Sequence, residues 1–405
     1  MINLRRHTRT AFLYFCIAAF LGVFLRLFFV TPIGANFRYV VHAHSHIALL
    51  GWVYLALITL IYRLYIPPGT KTILYKRIFQ FTQNTLIGML CTFPFTGYAL
   101  WSIIFSTLFL FSSYITAWYF FKNVDAVNKQ TFSFKCIRAA LWYMLISSVG
   151  PWAVGGVMAT LGKTSIWYKL SIYFYLHFQY NAWFILALCG ILFYFLEKNG
   201  PLKDRGSLSR FFYLTNVGIV LSLFLSALWL EPHWVFYVLG ALGAIFQLMG
   251  FLEYSSIVKR SVWTVFSPFQ RQVLRMAFLL LWGKILLQVL SAIPFFADLG
   301  FRYPDFIIGY LHWTFLGVVS ISLLVFLNRA ELLLVPPKLF WLYLTGFILS
   351  ELLIFYKGVA IWLGIPFLSD YFLLLALVSA LMPLALGLML WKNQRSWKPD
   401  PGKFP

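Results

Sequence analysis

Apolar runs of about twenty residues, separated by short polar and basic loops, extend along almost the whole chain. A membrane-spanning α-helix needs about 20 predominantly apolar residues, because the hydrocarbon core is about 30 Å thick. The runs therefore predict an all-α integral membrane protein, a bundle of about 12 transmembrane helices. The predicted spans are 11–30, 39–63, 77–97, 99–121, 136–160, 169–196, 208–230, 233–256, 272–294, 305–328, 338–361 and 370–391.

The loops between these runs are short, and none resembles a linker between domains. The least marked boundary separates the third and fourth spans, where Pro94 and the polar step Thr96-Gly97-Tyr98 predict a break. No internal repeat stands out. The sequence therefore predicts a single polytopic membrane domain, 1–405, with short tails at 1–10 and 392–405.

Composition supports the membrane class and gives its orientation. The chain is 61% hydrophobic and only 11% charged, whereas soluble domains are about 25% charged. The formal charge of +21 comes from basic residues in short loops, which face lipid headgroups rather than nucleic acid. With an inside N-terminus, 25 of the 32 Lys and Arg residues fall on the cytoplasmic side and five on the other. This bias predicts that both termini are cytoplasmic, in a bacterial inner membrane, and that lipid is the main partner.

Histidines are the candidate functional residues. His42, His44 and His46 begin the second apolar run, and they are three of only seven histidines in the chain. Polar side chains within a membrane span are costly and mark functional sites, and neutral imidazole ligates haem iron and copper. Residues four apart share a helical face, so His42 and His46 lie together while His44 faces elsewhere. This division predicts that His44 performs one task and that the His42 and His46 pair performs another.

Two further histidines, His177 and His312, fall in the outer half of the sixth and tenth spans. The polar residues Gln179, Tyr180 and Asn181 follow His177 and are expected to donate hydrogen bonds that fix its tautomer. Lys284 and Glu351 lie within the ninth and eleventh spans, and each is expected to face the protein interior.

The run His44-Ser45-His46-Ile47-Ala48-Leu49-Leu50-Gly51-Trp52 resembles the second helix of the haem–copper oxidase catalytic subunit. It is most similar to the divergent branch that includes the cbb3-type oxidases and nitric oxide reductases. The resemblance implies a low-spin haem and a copper ion. It assigns the haem ligands to His44 and His312 and a copper ligand to His177. By their positions near the histidines, Arg26 and Arg38 are the candidates for contacts with the haem propionates. By their shared helical face, His42 and His46 are candidates, with His177, for the second metal.

The chain departs from that family at two positions. The seventh span has no histidine where the family has two adjacent ones, and the tenth span has only His312 where the family has two. A complete oxygen-reducing centre is therefore not expected. The His42-Ala43-His44 step is also similar to twelve-span haem and copper proteins of the nitric oxide response, although their later Glu-Met and Gly-Gly-Arg features are absent.

The sequence thus predicts a membrane haem-binding protein of the electron-transfer type, with one bis-histidine haem and copper as a second metal. If it is an enzyme, it is a haem-dependent oxidoreductase that works with other respiratory or cytochrome subunits. Two alternatives stay open at this point. One is a non-enzymatic haem- or copper-binding sensor or assembly protein, and the other is a polytopic transporter that uses the histidines for proton or metal passage.

Overall fold

A computed structural model describes residues 2–200, 202, 204–261 and 265–395, and all regular structure in these ranges is helical. Two short helices, Ala126–Lys129 and Pro294–Arg302, accompany the long ones. The long helices of the described ranges are α1 (Leu4–Leu27), α2 (Phe37–Tyr65), α3 (Thr72–Thr96), α4 (Leu100–Asn123), α5 (Phe132–Thr160), α6 (Ile166–Glu197), α7 (Arg205–Leu230), α8 (Trp234–Lys259), α9 (Pro268–Leu290), α10 (Pro304–Arg329), α11 (Pro337–Leu363) and α12 (Tyr371–Arg395). Eleven of them are long and apolar enough to cross a membrane. The protein is an all-α polytopic membrane protein, as its hydrophobic pattern predicts.

Helix α3 is the one long helix of this set outside the eleven, since its first half carries Lys76, Arg77 and several amide side chains. The predicted break after it is confirmed, because α3 ends at Thr96 and α4 begins at Leu100. Gly97 forms the break with a φ of +59°, and a Cβ there would meet the Tyr39 ring at 2.5 Å. Only glycine suits both the left-handed backbone and the close contact.

The structure divides into two compact units. The first unit comprises Met1–Val124, Leu323–Ala360 and Gly364–Pro405, and the second comprises Asp125–Ser322 and Ile361–Leu363. Residues 396–405, most of the predicted C-terminal tail, lie outside the described ranges. The single membrane domain predicted for 1–405 stays a prediction.

In the first unit, α1 packs against α2 and α12. The Phe15 ring stacks on Trp52 with the ring centroids 4.6 Å apart. A Cβ on Gly51 would lie 2.9 Å from Tyr14, so only glycine allows α1 to approach so closely. Gly51 and Trp52, the last two residues of the His44–Trp52 run, therefore pack α2 against α1.

In the second unit, α7 and α8 pack closely against each other through small residues. A Cβ on Gly243 would lie 2.2 Å from the backbone nitrogen of Ser222, and one on Gly218 would lie 2.7 Å from that of Gln247. The Gln247 side chain also donates hydrogen bonds to Ser222 Oγ and Gly218 O. Close backbone approach at small residues, reinforced by interhelical hydrogen bonds, is typical of packing in membranes.

Within the described ranges, three helices contain π-helical segments, in which the backbone hydrogen bonds run from residue i to i+5. The segments are Ile47–Tyr54 in α2, Phe178–Trp183 in α6 and Trp313–Ser320 in α10. In each of these helices, most residues of the most apolar stretch are buried inside the protein. In the other candidate spans, fewer than half of the corresponding residues are buried. The π-helical segments thus lie in the most enclosed helices, which also carry the predicted site histidines.

Candidate functional site

His44 is half-buried on α2, and its ring is anchored to α1. Its Nδ1 lies 2.9 Å from the carbonyl oxygen of Ala18. A carbonyl can only accept, so Nδ1 carries the proton and Nε2 carries the lone pair. The ring passes Gly22, where a Cβ would lie 3.2 Å from His44 Cε1. Histidines that ligate metals usually donate their other N–H to a carbonyl or carboxylate in this way.

A charged group from α1 lies near His44. Arg26, in the last turn of α1, interacts electrostatically with His44 and with the carboxyl group of Glu351 on α11. Glu351 is only 3% exposed, so the prediction that it faces the interior is confirmed. Arg38, the other predicted propionate partner, is exposed in the first turn of α2. The first unit therefore brings His44, Arg26 and Glu351 together and leaves Arg38 at the surface.

His42 and His46 form a separate group on another side of α2, as their spacing predicts. His46 donates from Nδ1 to the carbonyl oxygen of His42 at 2.8 Å, and Tyr98 donates its hydroxyl proton to His46 Nε2 at 3.3 Å. The edge of the Tyr98 ring also packs against His42, with the centroids 4.7 Å apart. Both ring nitrogens of His46 are thus used in hydrogen bonds.

His177 belongs to a buried chain of hydrogen bonds in the second unit. Its Nε2 donates to the carbonyl oxygen of Ile219 on α7 at 2.8 Å, so Nδ1 carries the lone pair. Nδ1 accepts from Nδ2 of Asn181 at 3.1 Å, and Asn181 Oδ1 in turn accepts from Nζ of Lys284 on α9. Lys284 also donates to Gln288 Oε1 at 2.7 Å.

The contacts of Asn181, Gln179 and Lys284 test three of the sequence predictions. The expected role of Asn181 as a partner of His177 is confirmed. Gln179 instead donates to Ser147 Oγ at 2.8 Å. Lys284 faces the interior, as predicted, and is 1% exposed.

His312 is half-buried and directly precedes the π-helical segment of α10. The next residue, Trp313, donates its indole N–H to the carbonyl oxygen of Leu280 at 2.7 Å, and its ring lies against Gly283 of α9. His312 and His177 belong to the second unit, whereas His44 belongs to the first. The assignment of His44 and His312 as two ligands of one haem stays a prediction.

The predicted copper ligands do not fit a copper site as they stand. Within the described ranges there is no group of three or more His, Cys, Asp or Glu side chains that could hold a metal ion. His46 and His177 use both ring nitrogens in hydrogen bonds, so neither presents a lone pair to a metal. Coordination by either residue would require a hydrogen bond to break.

Sequence reasoning missed the π-helical segments. Each of them begins directly after a histidine, namely His46, His177 or His312. A small residue, Gly51, Ala182 or Gly317, follows five positions after that histidine. This shared spacing in the second, sixth and tenth long helices is the signal that could have drawn attention to them. π-Helical turns occur frequently at functional sites.

Comparison with known proteins does not extend the resemblance seen in the His44–Trp52 run. No protein-family model matches the chain, and no curated protein is significantly similar to it.

Proposed function

We propose that the protein binds haem in the membrane as an electron-transfer component, with His44 as an axial ligand of the iron. The observation that carries the proposal is the hydrogen bond from His44 Nδ1 to Ala18 O. It fixes the ring, places the proton on Nδ1 and leaves the lone pair on Nε2, the tautomer in which Nε2 can ligate iron. The likeness of the His44–Trp52 run to the second helix of the haem–copper oxidase catalytic subunit supports the same assignment.

The groups around His44 suit a haem in two ways. The Ala18 carbonyl orients the imidazole and increases its basicity. Arg26 supplies a positive charge near His44, which would complement a propionate group. Haem would supply reversible one-electron exchange at this place.

The finer assignments belong to this proposal. They are His312 as the second axial ligand, a bacterial inner membrane with both termini in the cytoplasm, and other respiratory or cytochrome subunits as partners. The orientation rests on the 25-to-5 distribution of Lys and Arg. The proposal does not include copper at His42, His46 and His177, because the hydrogen bonds of His46 and His177 oppose it.

The test is an optical spectrum of the full chain, purified after expression with added haem precursor. We expect sharp low-spin bands after reduction and little carbon monoxide binding, because two imidazole ligands leave no open iron site. The His44→Ala variant should lose these bands. A double variant, His42→Ala with His46→Ala, is the matched control and should keep them. Absence of a haem spectrum in the folded wild type, or an unchanged His44→Ala spectrum, would contradict the proposal.

The second ligand has its own test. If His312 is that ligand, His312→Ala should retain haem on His44 but become high-spin and bind carbon monoxide. A His312→Ala variant that remains low-spin would assign the second position to another residue while leaving His44 in place.

A further inference from the structure

The buried series of hydrogen bonds in the second unit begins at Lys284, where N–H donors remain unused. The polarity of the chain is fixed at its far end, because the Ile219 carbonyl can only accept. His177, Asn181 and Lys284 must then each donate toward that carbonyl. Lys284 therefore stands at the start of the chain as a donor.

Gln288 lies one turn after Lys284 on α9, and its amide is also oriented without ambiguity. Its Oε1 accepts from Lys284 Nζ, so its Nε2 remains available to donate to another group. Gln288 is 5% exposed, and Nε2 has no hydrogen-bond partner within the described part of the chain. Buried amide N–H groups are nearly always satisfied, so this donor points to an acceptor that is not a protein group.

The positive charge of Lys284 likewise calls for a partner. A cation within a membrane span is usually paired with an opposite charge. Neither the Arg210–Glu253 ion pair nor the Arg302–Asp298 ion pair includes Lys284. Of the acidic residues of the second unit, Glu253 and Asp298 pair with Arg210 and Arg302, and the others lie in loops or at helix ends: Asp125, Glu197, Asp204, Glu231 and Asp305. Lys284 lies within α9, more than one turn from either end, and its hydrogen-bond partners are neutral amides.

We infer that Lys284 and Gln288 form a binding site for one small inorganic anion of the size of chloride. The anion would accept the third N–H of the Lys284 ammonium group and the Nε2 hydrogens of Gln288. It would thereby supply the missing counter-charge and the missing acceptor together. Asn181 and His177 hold the ammonium group in place from the other side through the chain that ends at Ile219 O. The site is independent of the haem proposal.

The test compares thermal unfolding of the purified full chain in chloride and in gluconate at equal ionic strength. An anion that binds only the folded state raises Tm, and chloride at about a hundred times its Kd should raise Tm by about 3 °C or more. Lys284→Met removes the cation and should abolish the difference. Gln288→Glu places a fixed carboxylate beside Lys284 and should also abolish it. Lys169→Met makes the same change at an exposed position of α6 and should behave as the wild type.

An equal Tm for the wild type in the two salts would overturn the inference, and water would then satisfy Gln288. Persistence of the difference in Lys284→Met would overturn it as well. If Lys284→Met does not fold, the Gln288→Glu variant and a bromide experiment decide whether the anion site exists. Crystals of the wild type grown in bromide should show anomalous density beside Lys284 Nζ, and its absence would overturn the inference.

Discussion

Replacement of Asn181 by Leu would cut the buried chain of the second unit at its centre. The amide accepts from Lys284 through Oδ1 and donates to His177 through Nδ2. Leucine has a similar volume and offers neither group, so the change removes two hydrogen bonds with little effect on packing. Asn181 is only 4% exposed, so water does not readily replace it.

The two lost hydrogen bonds differ in strength. A hydrogen bond between neutral side chains within a membrane protein contributes about 0.6 kcal/mol on average. One to a charged group contributes about 1.5–3 kcal/mol. If Lys284 is an ammonium group, Asn181→Leu should therefore lower the free energy of unfolding by about 2–4 kcal/mol, with most of the loss on the Lys284 side.

Double-mutant cycles separate the two contributions. We expect a coupling energy of about 1.5–3 kcal/mol between Asn181→Leu and Lys284→Met, and about 0.6 kcal/mol between Asn181→Leu and His177→Leu. Denaturant unfolding in detergent, followed by far-ultraviolet circular dichroism, gives the four free energies of each cycle. Gln179→Leu is the control, because its side chain bonds to Ser147, and its coupling to Lys284→Met should be below about 0.5 kcal/mol.

Equal coupling energies in the two cycles would refute this reasoning. Lys284 would then act as a neutral amine, and a charge-assisted hydrogen bond to Asn181 would be excluded. The cycle thus also tests the positive charge on which the anion site depends.

The remaining predictions concern topology and helix packing. A reporter fused after Gly200 should lie in the cytoplasm and one at Lys163 outside, because of the Lys and Arg distribution, and the reverse pattern would refute the orientation. Gly243→Leu should lower the free energy of unfolding by about 3 kcal/mol or more, measured by denaturant unfolding, because its Cβ would lie 2.2 Å from the Ser222 backbone. Gly387→Leu, where a Cβ meets nothing within 4 Å, should have little effect, and similar losses for both would contradict the packing argument.

The hydrophobic pattern predicts the helices well but not their ends. The predicted span 338–361 corresponds to Pro337–Leu363, whereas the predicted span 136–160 begins earlier, at Phe132. Hydropathy measures the part of a helix that lies in lipid, while hydrogen-bond caps set its ends. Thr131 caps the N-terminus of α5 by accepting a hydrogen bond from Phe134 N. The first turn of α5 therefore precedes the apolar run.

The π-helical segments show where the hydrophobic pattern no longer helps. Ile47–Tyr54 is as apolar as a regular α-helical span, so its hydropathy cannot distinguish i→i+5 from i→i+4 hydrogen bonds. Within this segment Gly51 lies against Tyr14 of α1, and this contact is with a residue distant in sequence. That information lies in a different part of the chain.

The candidate site divides in the same way between local and distant contacts. The contacts from His46 to His42 and from Asn181 to His177 join residues four apart, and helical spacing alone predicts such pairs. The acceptors of His44 and His177 lie 26 and 42 residues away and become neighbours only through the fold. These distant carbonyls decide which nitrogen of each ring keeps its lone pair. The same residue type therefore serves as a candidate iron ligand at His44 and as an internal hydrogen-bond partner at His177.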